Sequence, residues 1–180
     1  THRYSSAASD VYKRQLEGEW SFIDGYRGLQ SCEVSAELGD FVVAKKEGNP
    51  AYQLAVVVDD HAMQITEVVR GDDLLASTFR QLQLYSTFGW SPPKFYHVPL
   101  VVGPDGKRLA KRHGDSRLAY YRERKVPPQR ILGLLAYSIG LQPDCRECSA
   151  EELIHLFRWD RLHRQVCWNF TSSHESWLLD

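Results

Sequence analysis

Residues 95–118 read FYHVPLVVGPDGKRLAKRHGDSRL. The first eight, Phe95–Val102, are largely apolar and β-rich, and predict one buried strand. Gly103 and Gly106 then open a loop that is dense in Lys and Arg. Nine of the chain's 22 basic residues fall in the window 106–130, against two acids. A charge run of this kind is often only a solvated face. Here two features point to a ligand instead. Glycines let the backbone approach a bound group closely. The loop also follows the carboxyl end of a predicted strand, where open α/β sheets bind ligands. An anion, above all a phosphate, is the expected occupant. GPDGKR is not a P-loop, because it lacks both the four-residue gap between glycines and the Ser or Thr after Lys.

Working outward, GDFVVA (39–44) predicts a short strand and KKEGNP a turn. YQLAVVV (52–58) is a continuous apolar run, read as a strand buried on both faces and ended by Asp59 and Asp60. ITEVV (65–69) is a further strand. Ser77 is expected to cap a helix carrying Phe79, Leu82, Tyr85 and Phe88, stopped by Gly89 and Pro92-Pro93. Pro127-Pro128 opens another helix, with Ile131, Leu132, Leu135 and Ile139 on it and Gly140 closing it. Ser149-Ala-Glu-Glu resembles a capping box. Strands alternating with helices predict an α/β fold with a largely parallel sheet.

The 180 residues are 43% hydrophobic and 25% charged, with a net charge of −1, so a nucleic-acid site must be a local patch. No run is long enough for a membrane span, and no membrane partner is expected. Four unevenly spaced Cys do not form a disulfide framework, and a cytoplasmic setting is the default. The opening THRYSSAASDVYKRQ has no hydrophobic period, and SSAASDVYKRQ looks like translated adapter sequence. The expectation is that residues 1–15 are a non-native or disordered tail and that the native frame begins near Leu16.

The segment RLAKR (108–112) resembles the KMSKS signature of the class I aminoacyl-tRNA synthetases in a degenerate form. The longer DGKRLAKRHGD (105–115) is similar to the version in glutamyl-tRNA synthetases and their short paralogues. AYQLAVVVDDHAMQITEVVRGDDLLASTFRQLQLYSTFGWSPPKFYHVPL (51–100) resembles the same family in order and spacing. The span covered is roughly 39–141. Three features favour the short paralogues, the glutamyl-queuosine tRNA(Asp) synthetases. Val56 stands where full-length enzymes usually carry Asn, and RGDDLL (70–75) resembles the paralogues' RGxDLL. The chain also ends about forty residues after the helix at 128–140, on a tail FRWDRLHRQV (157–166) like theirs.

The resemblance implies the C-terminal half of a Rossmann-like catalytic domain over 16–125, with a small helical region over 126–180. It implies ATP-dependent activation of glutamate and transfer to the queuosine base in the anticodon of tRNA(Asp), by a monomer. Lys111 matches the second Lys of KMSKS and is the implied catalytic residue. Arg108, Leu109 and Lys111 would bind ATP, with magnesium accompanying the nucleotide. Arg108 replaces a Lys, exchanging a point charge for a planar fork, and Ala110 replaces the Ser. Tyr52 and Arg70 would bind glutamate, each from the end of a predicted strand. Arg117, Arg122, Arg124 and Lys125, on or near a helix, would contact the tRNA backbone.

The HIGH signature is nowhere in the chain, whose one His-Gly pair is His113-Gly114. The expectation is that the missing half carries it, together with the family's zinc site, and that this chain alone is inactive. No metal is expected here: Cys145 and Cys148 have ligand spacing, but there is no matching second pair. The alternatives are the catalytic core of a true glutamyl-tRNA synthetase and a non-catalytic tRNA- or nucleotide-binding module.

Overall fold

The computed structural model describes residues 10–13, 17–109 and 117–180. The chain divides into two compact units, one up to His97 and one from Val98.

In the first unit β1 (Val11–Lys13) pairs antiparallel with β4 (Phe41–Ala44), with Tyr12 opposite Val42. Residues 11–13 lie within the stretch read above as a tail, and Asp10 beside them accepts the backbone N–H of Lys46 at 2.8 Å. Strands β2 (Glu19–Asp24) and β3 (Gly28–Glu33) form an antiparallel hairpin, Trp20 facing Cys32. Side chains alternate along β2, so Trp20, Phe22 and Asp24 share its inner face. A short α1 (Val34–Glu37) follows.

Residues 52–58 are helical, not a strand: α2 runs over Tyr52–Ala62, through Asp59 and Asp60. A continuous apolar run carries no period, so only length and packing separate a buried strand from a helix. The run continues to eleven residues. Val57 is buried with Phe41, Leu84 and Tyr85, and Val56 packs on the same cluster. Strand β5 (Glu67–Gly71) lies beside β6 (Lys94–Val98).

The cap expected at Ser77 is also corrected. A 3₁₀ turn over Asp72–Leu74 leads straight into α3 (Leu75–Phe88), which puts Ser77 inside the helix. Its hydroxyl instead accepts Gln53 Nε2 at 3.0 Å. Gly89 ends α3 with φ of 68°, the left-handed closure the sequence indicated.

The run 95–102 is two strands, β6 and β7 (Leu100–Val102), interrupted at Pro99, which has no N–H to give a ladder. In the second unit β7 pairs parallel with β8 (Cys167–Asn169). Parallel pairing is thus present, but β1–β4 and β2–β3 are antiparallel, and the described strands form four two-stranded sheets where the sequence predicted one largely parallel sheet. Helices α4 (Leu118–Glu123), α5 (Pro128–Ser138), α6 (Ala150–Leu156) and α7 (Ser172–Leu179) complete this unit. Tyr121, Leu134 and Leu178 form its core. Pro128 opens α5 and Ser149 caps α6 with a full capping box, as the sequence indicated.

Candidate active site

Strand β5 delivers Arg70 into a polar network inside the first unit. Its Nε donates to His97 Nε2 at 3.0 Å, and its Nη2 donates to Thr78 Oγ1 at 2.6 Å and Gln81 Oε1 at 2.8 Å. Gln81 Nε2 passes the chain on to Gln53 Oε1 at 2.9 Å. The spacing 78, 81, 85 puts Thr78, Gln81 and Tyr85 on one face of α3. Phe95, two residues before His97 on the same side of β6, lies 5.1 Å from the Arg70 guanidinium carbon.

Behind Arg70 sits Asp24. His97 Nδ1 is 2.6 Å from Asp24 Oδ2, and both groups are fully buried. Asp24 Oδ1 also accepts the backbone N–H of Tyr26 at 2.9 Å and of Arg27 at 2.8 Å, while His97 N–H reaches Oδ2 at 3.1 Å. Burial pushes the Asp24 carboxyl up. The imidazole bond and these backbone N–H groups outweigh it and hold the group below its ordinary value of 3.8. Arg27 in turn pairs with Asp72.

Among the described residues no carboxylate stands within salt-bridge distance of Arg70, so the partners of its Nε and Nη2 are neutral. Burial lowers its pKa, while Tyr52 and Asp60 act the other way. Desolvated and bonded to neutral acceptors, the guanidinium retains an unneutralised charge that an anionic ligand can meet. Tyr52 is the first residue of α2, not the end of a strand. It is 54% exposed and lies close enough to Arg70 to act on its charge. Two turns on, burial raises the Asp60 carboxyl. Tyr85 is buried with a hydroxyl lacking a partner among the described residues, and burial, then Asp60, pushes it up to about 12.

Tyr52 and Arg70, the two residues that the resemblance implies for glutamate, stand near one another. Asp24, His97, Thr78, Gln81 and Gln53, which join Arg70 in the network, were not singled out in the sequence. The available signal was His97 itself, a titratable residue inside the apolar run FYHVPLVV.

In the second unit the chain leaves β7 through a tight turn. Gly106 N–H donates to Gly103 O at 2.9 Å, Gly103 N–H to Lys107 O at 2.9 Å, and Lys107 N–H to Asp105 Oδ1 at 3.0 Å. Gly106 takes φ of 70°, which a side chain would strain. Arg108 then bridges back to Val102, and Leu109 N–H donates to Val101 O at 2.8 Å. Arg108 is exposed, whereas Leu109 lines an apolar cavity of about 180 Å³ with Val101, Tyr121 and Trp168. Lys111 lies outside the described residues, with Ala110, His113 and Gly114.

Arg117 is the N-cap residue of α4 and Arg122 lies in its last turn. Arg124 lies over the Tyr120 ring at 3.6 Å, and its Nη1 donates to Tyr120 O at 3.3 Å. Lys125 follows with φ of 59°. All four are exposed. No group of three or more His, Cys, Asp or Glu among the described residues could hold a metal, and Cys145 and Cys148 are free. No helix among them is long and apolar enough to cross a membrane.

Residues 12–174 match the family of the class I tRNA synthetases (E and Q), catalytic domain. The chain is 49% identical over 157 residues to a glutamyl-Q tRNA(Asp) synthetase of Rhodopirellula baltica, covering 80% of this chain and 48% of that protein. It is 38% identical over 167 residues to a glutamate–tRNA ligase of Halorhodospira halophila, covering 93% and 35%. A crystal structure of a glutamate tRNA ligase from Elizabethkingia meningosepticum, in complex with its amino acid, superposes with a TM-score of 0.77 at 29% identity, over 92% of this chain and 36% of that one. The chain thus spans less than half the length of these relatives.

Proposed function

The chain belongs to the class I tRNA synthetases of the E and Q family, and on that premise we propose a ligase that activates glutamate with ATP and transfers it to queuosine in the anticodon of tRNA(Asp). The observation that carries the reading is Arg70, a half-buried guanidinium bonded to neutral groups with the Tyr52 hydroxyl beside it. Such a pair suits a carboxylate: the cation supplies charge-assisted bonds and the phenol one donor. Glutamate is the carboxylate favoured by the names of the relatives.

Activation requires a substrate carboxylate oxygen to attack the α-phosphorus of ATP while pyrophosphate leaves. Negative charge then shifts onto the phosphate oxygens, and a positioned cation lowers that barrier. Lys111 is the candidate for this role, with Arg108 and Leu109 as neighbours against the nucleotide. Arg117, Arg122, Arg124 and Lys125 form a separate set of exposed cations suited to a phosphate backbone.

The choice of acceptor rests on the identity to the glutamyl-Q tRNA(Asp) synthetase of Rhodopirellula baltica and on Val56. A second reading, transfer to the 3′ end of a tRNA, is favoured by the relatives named glutamate–tRNA ligase. The test uses the protein expressed from its complete reading frame, with labelled glutamate, ATP and queuosine-containing tRNA(Asp). Label on the anticodon stem-loop after nuclease cleavage supports the proposal. Label on the 3′ fragment supports the second reading. No glutamate-dependent pyrophosphate exchange would remove both and leave a binding module.

A further inference from the structure

The Arg70 network ends behind the guanidinium in a buried pair, and the identity of its atoms can be deduced. His97 Nδ1 sits 2.6 Å from a carboxylate oxygen, so Nδ1 carries the proton. His97 Nε2 receives the Arg70 Nε–H at 3.0 Å and lies 3.0 Å from Thr78 Oγ1, a hydroxyl that can also donate to it, so Nε2 presents a lone pair. The imidazole is therefore neutral, donating to Asp24 on one side and accepting from Arg70 on the other. A doubly protonated ring would set N–H against N–H and one cation against another. Asp24 fixes this tautomer, and three backbone N–H groups fix Asp24.

Stability alone does not call for this arrangement. Asp24, His97, Thr78 and Gln81 are each at most 2% exposed. Apolar side chains of similar volume would fill that space without the desolvation that polar ones suffer. The polar chain is continuous, however, and it leads to a half-buried cation. Its effect on Arg70 is geometric. Bonds at Nε and Nη2, with the Phe95 ring at 5.1 Å, define the plane of the guanidinium and remove most of its rotamer freedom. An unrestrained Arg side chain is rich in rotamer entropy, which binding would otherwise have to remove. A clamp ordered before the ligand arrives gains affinity for that reason.

We infer that His97, held by Asp24, is a positioning residue for Arg70: it keeps the guanidinium planar-locked through Nε so that the remaining N–H edge meets the carboxylate of the amino-acid substrate. The inference rests on the reading that Arg70 faces glutamate. It adds that an acceptor at the Nε2 position of residue 97, rather than a histidine as such, determines glutamate affinity.

The two functions of the ring can be separated by substitution. His97→Asn retains a donor where Nδ1 stood and loses the acceptor toward Arg70. His97→Gln reaches the Nε2 position with an amide oxygen and loses the donor toward Asp24. Gln81→Met removes one of the two acceptors of Nη2 at similar side-chain length and leaves Thr78 Oγ1. All three, with Arg70→Ala, are made in the protein expressed from its complete reading frame and assayed by glutamate-dependent ATP–pyrophosphate exchange. His97→Asn is expected to raise the glutamate KM about tenfold, with ATP KM and kcat within about twofold. His97→Gln is expected to return the glutamate KM to within about threefold of the parent, and Gln81→Met to raise it by about threefold to tenfold.

A large glutamate KM effect in Arg70→Ala with none in His97→Asn or Gln81→Met would overturn the positioning role. So would equal losses for glutamate and ATP, or a His97→Gln protein no better than His97→Asn, because a scaffold role predicts those. If Arg70→Ala itself leaves the glutamate KM unchanged, the underlying reading of Arg70 fails, and the inference with it.

Discussion

Replacing Asp24 by Asn should expose how strongly the first unit depends on one buried carboxylate. Asp24 is 1% exposed. Oδ1 serves the N–H groups of Tyr26 and Arg27, and an amide oxygen in that place can keep both. Oδ2 accepts His97 Nδ1–H and shares His97 N–H with Oδ1, at 3.1 and 3.2 Å, and there Asn presents an NH₂ group. The buried Nδ1–H loses its charge-assisted acceptor, while His97 N–H keeps only the Oδ1 contact. A buried group left without a partner costs about 1–3 kcal/mol, the upper end applying where the lost bond was charge-assisted, so the loss is about 3 kcal/mol. With a urea slope of about 2 kcal/mol/M, the midpoint should fall by about 1.5 M, read by far-ultraviolet circular dichroism at pH 7.

The pH dependence supplies a second check. The folded carboxyl is held below 3.8 by His97 and by backbone N–H groups, so at falling pH the unfolded chain takes up its proton first. The stabilisation from Asp24 is fully present above that ordinary value and is lost as pH falls through the depressed folded one. Parent and Asp24→Asn midpoints should therefore stay apart from pH 7 to about pH 5 and draw together as pH falls below 3.8. A midpoint shift under about 0.3 M at pH 7, or a gap that widens in acid, would refute the reasoning.

In the complete protein Lys111→Ala should lower kcat for pyrophosphate exchange by about 10²-fold and move the ATP KM much less, since one preorganised charge on the transition state is removed. An effect confined to tRNA binding would remove Lys111 from catalysis. Arg70→Ala should raise the glutamate KM by about ten- to a hundredfold with little change for ATP. Neutralising Arg122 and Arg124 together should leave exchange intact, weaken tRNA binding and flatten its salt dependence, measured by filter binding across a salt series. Gly133→Ala should destabilise the second unit by about 2 kcal/mol or more in urea melts. A Cβ there would stand 1.8 Å from the backbone oxygen of Arg146, and backbone cannot rotate out of the way as a side chain can.

Local chemistry was readable from the chain alone where a residue acts on its immediate neighbours. Pro127-Pro128 opens α5 because proline lacks the N–H that a helix start leaves unbonded, Gly89 ends α3 because it accepts positive φ, and Ser149 with Glu152 closes a reciprocal cap. Family membership was equally legible, since it rests on residue identities in order. Two things were decided only by packing. YQLAVVV has no period, so nothing within it separates strand from helix, and the contact of Val57 with Phe41, Leu84 and Tyr85 makes it α2. The pairing of Asp24 with His97 joins residues 73 apart in the chain. A hairpin and a strand must meet before that carboxylate finds its imidazole, and no sequence pattern records a bond whose partners become neighbours only in the folded unit.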